Sequence, residues 1–302
     1  MSSSGRPAVG FRAELVAVVA SVGEDGPAVL ASGDPLQLPA GELRADHDSL
    51  QEGVRVFAAE QTGHTLGYVE QLYTFADLGR GDGTGRVISI SYLGLTRADI
   101  TAAEWAGAYT LLPWEDRRSV GTDQALVDDL ARWVRGVRGA AREAREERRE
   151  HLFGTGSMPW RPELALQRYE LLWEAGIVAE SPRAKQVRAE SGVAMLHDHR
   201  RIVATGLSRL RSALQYRPVV FELMPPTFTL GQLQDVVEAI AGQDVHKQNF
   251  RRLVEQQHQL VEPTGDLSHG TGGRPARRYR FRREVFAERA QVGTKLPIPR
   301  GR

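Results

Sequence analysis

Between Phe11 and Thr96 the chain reads strand, strand, helix, strand, strand, and this order restricts the fold more than any other feature. "FRAELVAVVASV" (Phe11 to Val22) and "GPAVLASG" are apolar and rich in β-branched residues, with "GEDG" between them as a turn. After Gly41, "ELRADHDSLQEGVRVFAAEQTG" offers Asp48 as a helix cap. It sets Leu50, Val54, Phe57 and Ala58 at i, i+4, i+7 and i+8, and Gly63 closes the helix. "YVEQLYTF" (Tyr68 to Phe75) and "RVISISYLGLT" (Arg86 to Thr96) follow as strands, separated by the Gly- and Asp-rich "ADLGRGDGTG".

This order, with a glycine loop leading into the helix, resembles a Nudix domain. The family motif is a glycine, five residues, Glu, seven residues, then Arg-Glu-U-x-Glu-Glu-x-Gly-U, where U is aliphatic. Aligned on Gly63, the first Glu falls on Asp48, Arg-Glu on Val56 and Phe57, and the later Glu pair on Glu60 and Gln61, while Gly41 stands one residue early. The helical acids of the family, at i, i+3 and i+4, converge to hold Mg²⁺ against a pyrophosphate, because a hard cation takes oxygen ligands. Of those three only Glu60 remains, and Phe57 would dry the face that the metal needs. The helix therefore reads as an amphipathic core helix on a scaffold that has lost its chemistry. The alternative is an active hydrolase cleaving ADP-ribose with Asp48, Glu60 and a metal-bound water.

The middle of the chain says less about function. "RGAAREAREERREHLF" (Arg138 to Phe153) mixes charge signs as a solvated helix does. "RPELALQRYELLWEAGIV" opens a helix at a proline and supplies Leu164, Tyr169, Leu172 and Trp173 for packing in a core or a dimer. "HDH" at His197 to His199 invites a metal reading, but helical neighbours at i and i+2 do not face one another, so a structural or capping role is preferred. The helix expected from Asp198 to Pro218 carries Ile202, Leu207, Leu210 and Leu214 as an apolar stripe.

Beyond it the balance of charge changes: Tyr216 to Arg302 holds 14 Lys and Arg against 9 Asp and Glu, although the whole chain is only +1. Such asymmetry points to nucleic-acid contact by one domain. There "FELMPPTFTLGQLQDVVEAIAGQDVHKQNFRRLVEQ" reads as helix, turn, helix. Thr229 and Gln232 form a capping box, Gly242 ends the first helix, and the second begins near Asp244 or His246. Val245, Phe250, Leu253 and Val254 face inward, which leaves His246, Lys247, Gln248, Asn249, Arg251 and Arg252 to reach base edges and phosphates. A short strand, a glycine-rich loop and a second strand around Arg278 to Phe281 complete a β-wing, whose loop carries Arg274, Arg277 and Arg278.

A degenerate Nudix domain followed by a winged helix resembles the Nudix-related transcriptional regulators of NAD metabolism. "QLYTFADLGR", "RVISISYL", "FELMPPTFTLGQLQ", "HKQNFRRLVE" and "GGRPARRYRF" carry the resemblance across both ends of the chain. It implies a cytoplasmic homodimer that represses NAD-related genes at a palindromic DNA operator and answers to a nucleotide effector such as ADP-ribose. The long charged middle segment and the missing acids depart from the pattern.

The expected fold class is α+β. A Nudix-like α/β/α sandwich spans residues 1–215, with a helical insertion at about 123–180; a winged helix-turn-helix spans 216–290, and a flexible tail spans 291–302. With 302 residues the chain has room for about two domains. The absence of cysteine excludes disulfides and thiolate chemistry, and no apolar run approaches a membrane span. For the effector pocket the sequence offers Arg55 and Arg86 as phosphate partners, Glu60 beside them, and Tyr73 or Phe75 for stacking, with ordinary strand core as the other role for the two aromatics. No cofactor and no metal are expected. A plain nucleotide-binding or scaffolding protein is the third class considered.

Overall fold

The structure is a computed structural model describing residues 11–23, 25–76, 86–97, 104–118, 124–185, 188–216, 219–257, 260–268 and 275–282. Its first half is a mixed sheet. The strands β1 (Phe11–Gly23), β2 (Gly26–Leu30), β3 (Ala40–Glu42), β4 (Tyr68–Phe75), β5 (Arg86–Leu95) and β6 (Trp105–Gly107) follow in chain order, with helix α1 (Leu50–Thr62) between β3 and β4. In space the order is β4-β5-β1-β2-β6, with β3 also on β1. β1 and β5 run parallel from Phe11↔Arg86 to Ala20↔Leu95, and the other pairs are antiparallel.

β1 shows why this makes three layers. Its alternate residues point to opposite faces, and both sets are buried. Leu15, Ala17 and Val19 pack with Val54, Phe57 and Ala58 of α1, whereas Val16, Val18 and Ala20 belong to the core on the other side. That second face is covered by α6, introduced below. The α/β/α sandwich expected from the sequence is thus present; β1, α1, β4 and β5 fall within a residue or two of expectation, β2 ends three residues early, and the short β3 and β6 were not foreseen. One detail is corrected. Ser49, not Asp48, caps α1: its Oγ accepts from the Glu52 amide at 3.1 Å, and Asp48 stays outside and exposed. Gly63 closes the helix in the left-handed region as expected.

After α2 (Ala108–Leu111) and a 3-10 turn at Pro113–Glu115 come α3 (Gln124–Arg135), α4 (Ala140–Phe153) and α5 (Ala165–Ala175), within the stretch expected to be a helical insertion. Tyr169 and Leu172 are buried as expected, but Trp173 is partly exposed while Arg168, assigned no role by the sequence, is fully buried. α6 (His199–Tyr216) then crosses the sheet, where Gly206 admits the close approach: a β-carbon there would lie 2.9 Å from Val18.

The remainder comprises a 3-10 turn at Val219–Glu222, β7 (Phe228–Thr229), α7 (Leu230–Ala241), α8 (Lys247–Arg252) continued by a π-helical turn to Gln257, and strands β8 (Val261–Ser268) and β9 (Ala276–Phe281). The strands form an antiparallel sheet in the order β7-β9-β8, which is the winged helix-turn-helix foreseen. Leu233, Val237, Ile240, Phe250 and Tyr279 of this part lie in the same continuous core cluster as Val18, Leu93 and Ile202 of the sandwich. Among the described residues no helix is long and apolar enough to cross a membrane.

Candidate functional site

Burial selects the outward face of α8. Phe250 and Val254 are fully buried and Val245 nearly so, anchoring the helix on the core, while His246, Lys247, Gln248, Asn249, Arg251 and Arg252 are all exposed. The structure therefore brings six of the expected DNA-facing residues together, five on one short helix and His246 at its N-cap. What aims that helix is the turn before it. Glu238 of α7 accepts from the Val245 amide at 2.8 Å and from Gln234 at 2.9 Å, and the Gln234 amide also donates to the Val245 carbonyl at 3.0 Å.

The other expected DNA residues have different circumstances. Thr229 and Gln232 form the capping box, Thr229 Oγ1 accepting from the Gln232 amide at 3.2 Å and Gln232 Oε1 from the Thr229 amide at 2.8 Å, so both side chains are engaged within the helix start. Arg277 and Arg278 lie on β9 and not in the wing loop. Arg277 is exposed, but Arg278 turns back and donates to Thr227 Oγ1 at 3.0 Å. Arg274 lies outside the described residues.

The expected effector residues do not assemble. Arg55 spends its guanidinium on the Leu66 and Gly67 carbonyls, the latter at 3.2 Å. Arg86 is held by the Ala76 carbonyl at 2.8 Å. Gly67 pairs with Leu95 at one end of β5 and Arg86 opens the other, a separation of about 30 Å at the rise of a strand, so the two arginines cannot share a phosphate. Glu60 is exposed, 3.9 Å from Arg44. Phe75 is buried under the Arg201 guanidinium, as strand core, and Tyr73 is exposed with its ring edge-on to Phe75 at 6.5 Å. At the positions where the Nudix motif needs acids, Phe57 is in the core and Gln61 donates to the Ala40 carbonyl at 2.9 Å. Among the described residues no three His, Asp or Glu side chains stand together as metal ligands.

A cavity of about 260 Å³ does open elsewhere on the sandwich, at the leading ends of β1 and β5 beside β3 and the start of α6. Arg12, Glu14, Gln37, Glu42, His197 and His199 supply its polar lining. Arg12 lies 3.6 Å from Glu42, and Ser89 donates to Glu14 at 2.6 Å. His199 Nδ1 accepts from the Leu38 amide at 2.9 Å, which assigns its ring proton to Nε2. The neighbouring His197 has φ of 50°, a left-handed value a non-glycine residue adopts only when its surroundings impose it. Four segments far apart in sequence meet here, so no local spacing announced the cavity; its one sequence signal was "HDH", read as structural.

Between cavity and reading helix lies a buried ionic cluster. Glu115, Arg168 and Arg211 have no solvent exposure. Arg168 makes a fork to Glu115 at 2.6 and 2.8 Å, and Arg211 pairs with the same carboxylate. Burial works against the Glu115 charge, but the two guanidiniums outweigh it and hold the carboxyl below the usual glutamate range. Arg211 Nε also donates to the Ile240 carbonyl at 2.8 Å, Tyr109 donates to the Ala239 carbonyl, and the Arg117 amide donates to the Gly242 carbonyl at 2.7 Å. The last carbonyls of α7, which no helical amide can satisfy, are thus capped by the sandwich.

These features define a Nudix-like sandwich with a pocket, fused to a winged helix that presents a basic face. The winged part is of a particular kind: residues 220–281 match the NrtR DNA-binding winged helix domain. Over 84 residues the chain is 39% identical to the ADPR responsive transcriptional repressor NtrR of Acinetobacter baylyi, covering 28% of this chain and 33% of that one. The match therefore spans about a third of that curated relative's length. The fold as a whole is like that of Shewanella oneidensis NrtR complexed with a 27mer DNA, with a TM-score of 0.53 and 20% identity over 91% of this chain and 95% of that one. A MutT/nudix family protein from Enterococcus faecalis is similar too, with a TM-score of 0.50 and 15% identity over 93% and 89%. The resemblance read from the sequence, a degenerate Nudix domain followed by the winged helix of a Nudix-related regulator, stands.

Proposed function

We propose that this chain is an effector-responsive transcriptional repressor of NAD or pyridine-nucleotide genes, binding a DNA operator as a cytoplasmic homodimer. Residues 1–215 act as the sensor and 216–290 as the reader. The observation that carries the reading is the exposed set His246, Lys247, Gln248, Asn249, Arg251 and Arg252 on a winged helix of NrtR type. Gln248 and Asn249 bear amides suited to adenine edges, and Lys247, Arg251, Arg252 and Arg277 bear charge suited to phosphate.

The effector is ADP-ribose or a related nucleotide, a choice supported by the ADPR-responsive relative. It is taken by the pocket at the head of α6: Arg12 suits a phosphate, while Glu14 and Glu42 suit ribose hydroxyls, which a carboxylate accepts from. Binding proceeds without hydrolysis, since Phe57 sits in the core where the Nudix motif places a metal-binding Glu. Occupancy alters the spacing of the two readers in the dimer, and half-sites about 34–36 Å apart make affinity sensitive to a small rotation.

The test begins by selecting duplexes from a randomised pool with the full chain, then measures their fluorescence anisotropy with and without ADP-ribose. A selected palindrome whose affinity falls with ADP-ribose is expected. Failure to enrich any sequence, or affinity indifferent to ADP-ribose, NAD, NMN and ATP, would overturn the reading. Release of AMP from ADP-ribose in Mg²⁺ or Mn²⁺ above a heat-killed control would instead favour the hydrolase.

A further inference from the structure

We infer that Tyr109 and Arg211 are positioning residues that couple the pocket to the reading helix through α6. The inference rests on the proposed reading of the pocket as the effector site. α6 begins at His199, in the pocket wall, and twelve residues later Arg211 grips the end of α7. An 18-residue helix is a rod of about 27 Å, and no proline interrupts this one. At its middle it rests on the sheet where Gly206 meets Val18, and this contact leaves no room to press closer. A displacement of the first turn is therefore passed along the rod to Arg211.

The far end is built to receive it. Arg211 Nε holds the Ile240 carbonyl at 2.8 Å, and Arg211 Nη2 reaches the Tyr109 hydroxyl at 3.3 Å. That hydroxyl in turn donates to the Ala239 carbonyl. Glu115 and the Pro162 carbonyl, at 3.0 Å from Arg211 Nη1, tie the guanidinium to the turns before α3 and α5, so that these turns and α6 are joined where α7 ends. Two residues beyond the gripped carbonyls comes the turn from Gly242 to Val245, stapled by Glu238, and then α8. Ala239 and Ile240 thus stand between the sensor's rod and the face proposed to read DNA. A helix end whose carbonyls are held by another domain's side chains follows that domain.

Tyr109→Phe keeps the ring and removes the hydroxyl, and with it the donor to the end of α7 and the acceptor for Arg211 Nη2. In full-length protein with a pool-selected duplex, the quantity to read is the ratio of DNA affinities without and with saturating ADP-ribose. The variant is expected to bind DNA and, by calorimetry, ADP-ribose as the wild type does, while that ratio falls by about 2- to 12-fold, the value of one hydrogen bond. A ratio unchanged from a responsive wild type would overturn the coupling and leave the proposed function intact; a wild type blind to ADP-ribose would overturn that function itself. Should the variant not fold, hydrogen exchange on the wild type decides. ADP-ribose is expected to alter protection of the Gly242 and Val245 amides, and unchanged protection there would overturn the coupling.

Discussion

Gly242 lies so close to Glu115 that a β-carbon built on it would stand 2.2 Å from the Glu115 carbonyl oxygen. Its φ of 67° is also one that a side chain resists. Because the obstructing atom is backbone, α7 would have to lift from the sandwich. Gly242→Ala is expected to cost about 1–3 kcal/mol from the backbone conformation alone, with the clash added. Urea unfolding of the full chain checks it, and an unchanged midpoint would contradict the packing described.

Removing the carboxylate of Glu115 leaves two buried guanidiniums facing each other, so Glu115→Ala is expected to destabilise by about 3–5 kcal/mol. The wild type adds a pH signature. A carboxyl whose folded pKa is depressed contributes its full stability above the ordinary glutamate value of 4.5 and loses it as pH falls through the folded value. Wild-type stability should therefore decline on acidification from about pH 5 downward, and Glu115→Gln should flatten that decline. Thermal melts across an acid series report both, and parallel curves for the two proteins would exclude Glu115 as the titrating group.

On the reading face, replacement should separate residues by kind. Gln248→Ala or Asn249→Ala is expected to cost about 1–3 kcal/mol on a selected duplex and little on scrambled DNA. Lys247→Ala and Arg277→Ala should weaken both and lower the salt slope by about one unit per contact. Arg278→Ala, whose guanidinium is engaged with Thr227, should change neither slope. Anisotropy against salt resolves the three behaviours.

In the sandwich, Arg12→Ala should weaken ADP-ribose binding, whereas Arg55→Ala should leave it intact and lower only thermal stability, because Arg55 caps the Leu66 and Gly67 carbonyls. Calorimetry and melting of both variants provide the comparison. Equal losses of affinity would move the effector away from the head of α6.

What the sequence disclosed follows from what is local. The capping box at Thr229 and Gln232, the Gly63 and Gly242 stops, and the apolar spacing of Ile202, Leu207, Leu210 and Leu214 are short-range signals, and each recurs in the structure. The face of α8 was legible for the same reason, since one buried stripe on a helix defines the exposed remainder. The pocket was not, because Arg12, Gln37, Glu42 and His197 are joined only by the pairing of β1 with β3 and the crossing of α6. Arg55 and Arg86 looked like phosphate ligands because sequence shows a charge but not the carbonyls that already occupy it. The burial of Arg168 and Arg211 ran against composition altogether: arginine belongs outside unless paired, and their common partner Glu115 is 53 and 96 residues away.

The capping of α7 by the sandwich bears on how such a chain could have been assembled. A winged helix taken from it would arrive with the Ala239, Ile240 and Gly242 carbonyls bare, and a sandwich left behind would leave Arg211 Nε and the Tyr109 hydroxyl without the α7 carbonyls they now hold. Neither piece is interchangeable on its own. A recombination that gave this reader a new sensor would have to bring equivalents of Tyr109, Glu115 and Arg211 along with it, so the two halves are constrained to be inherited together.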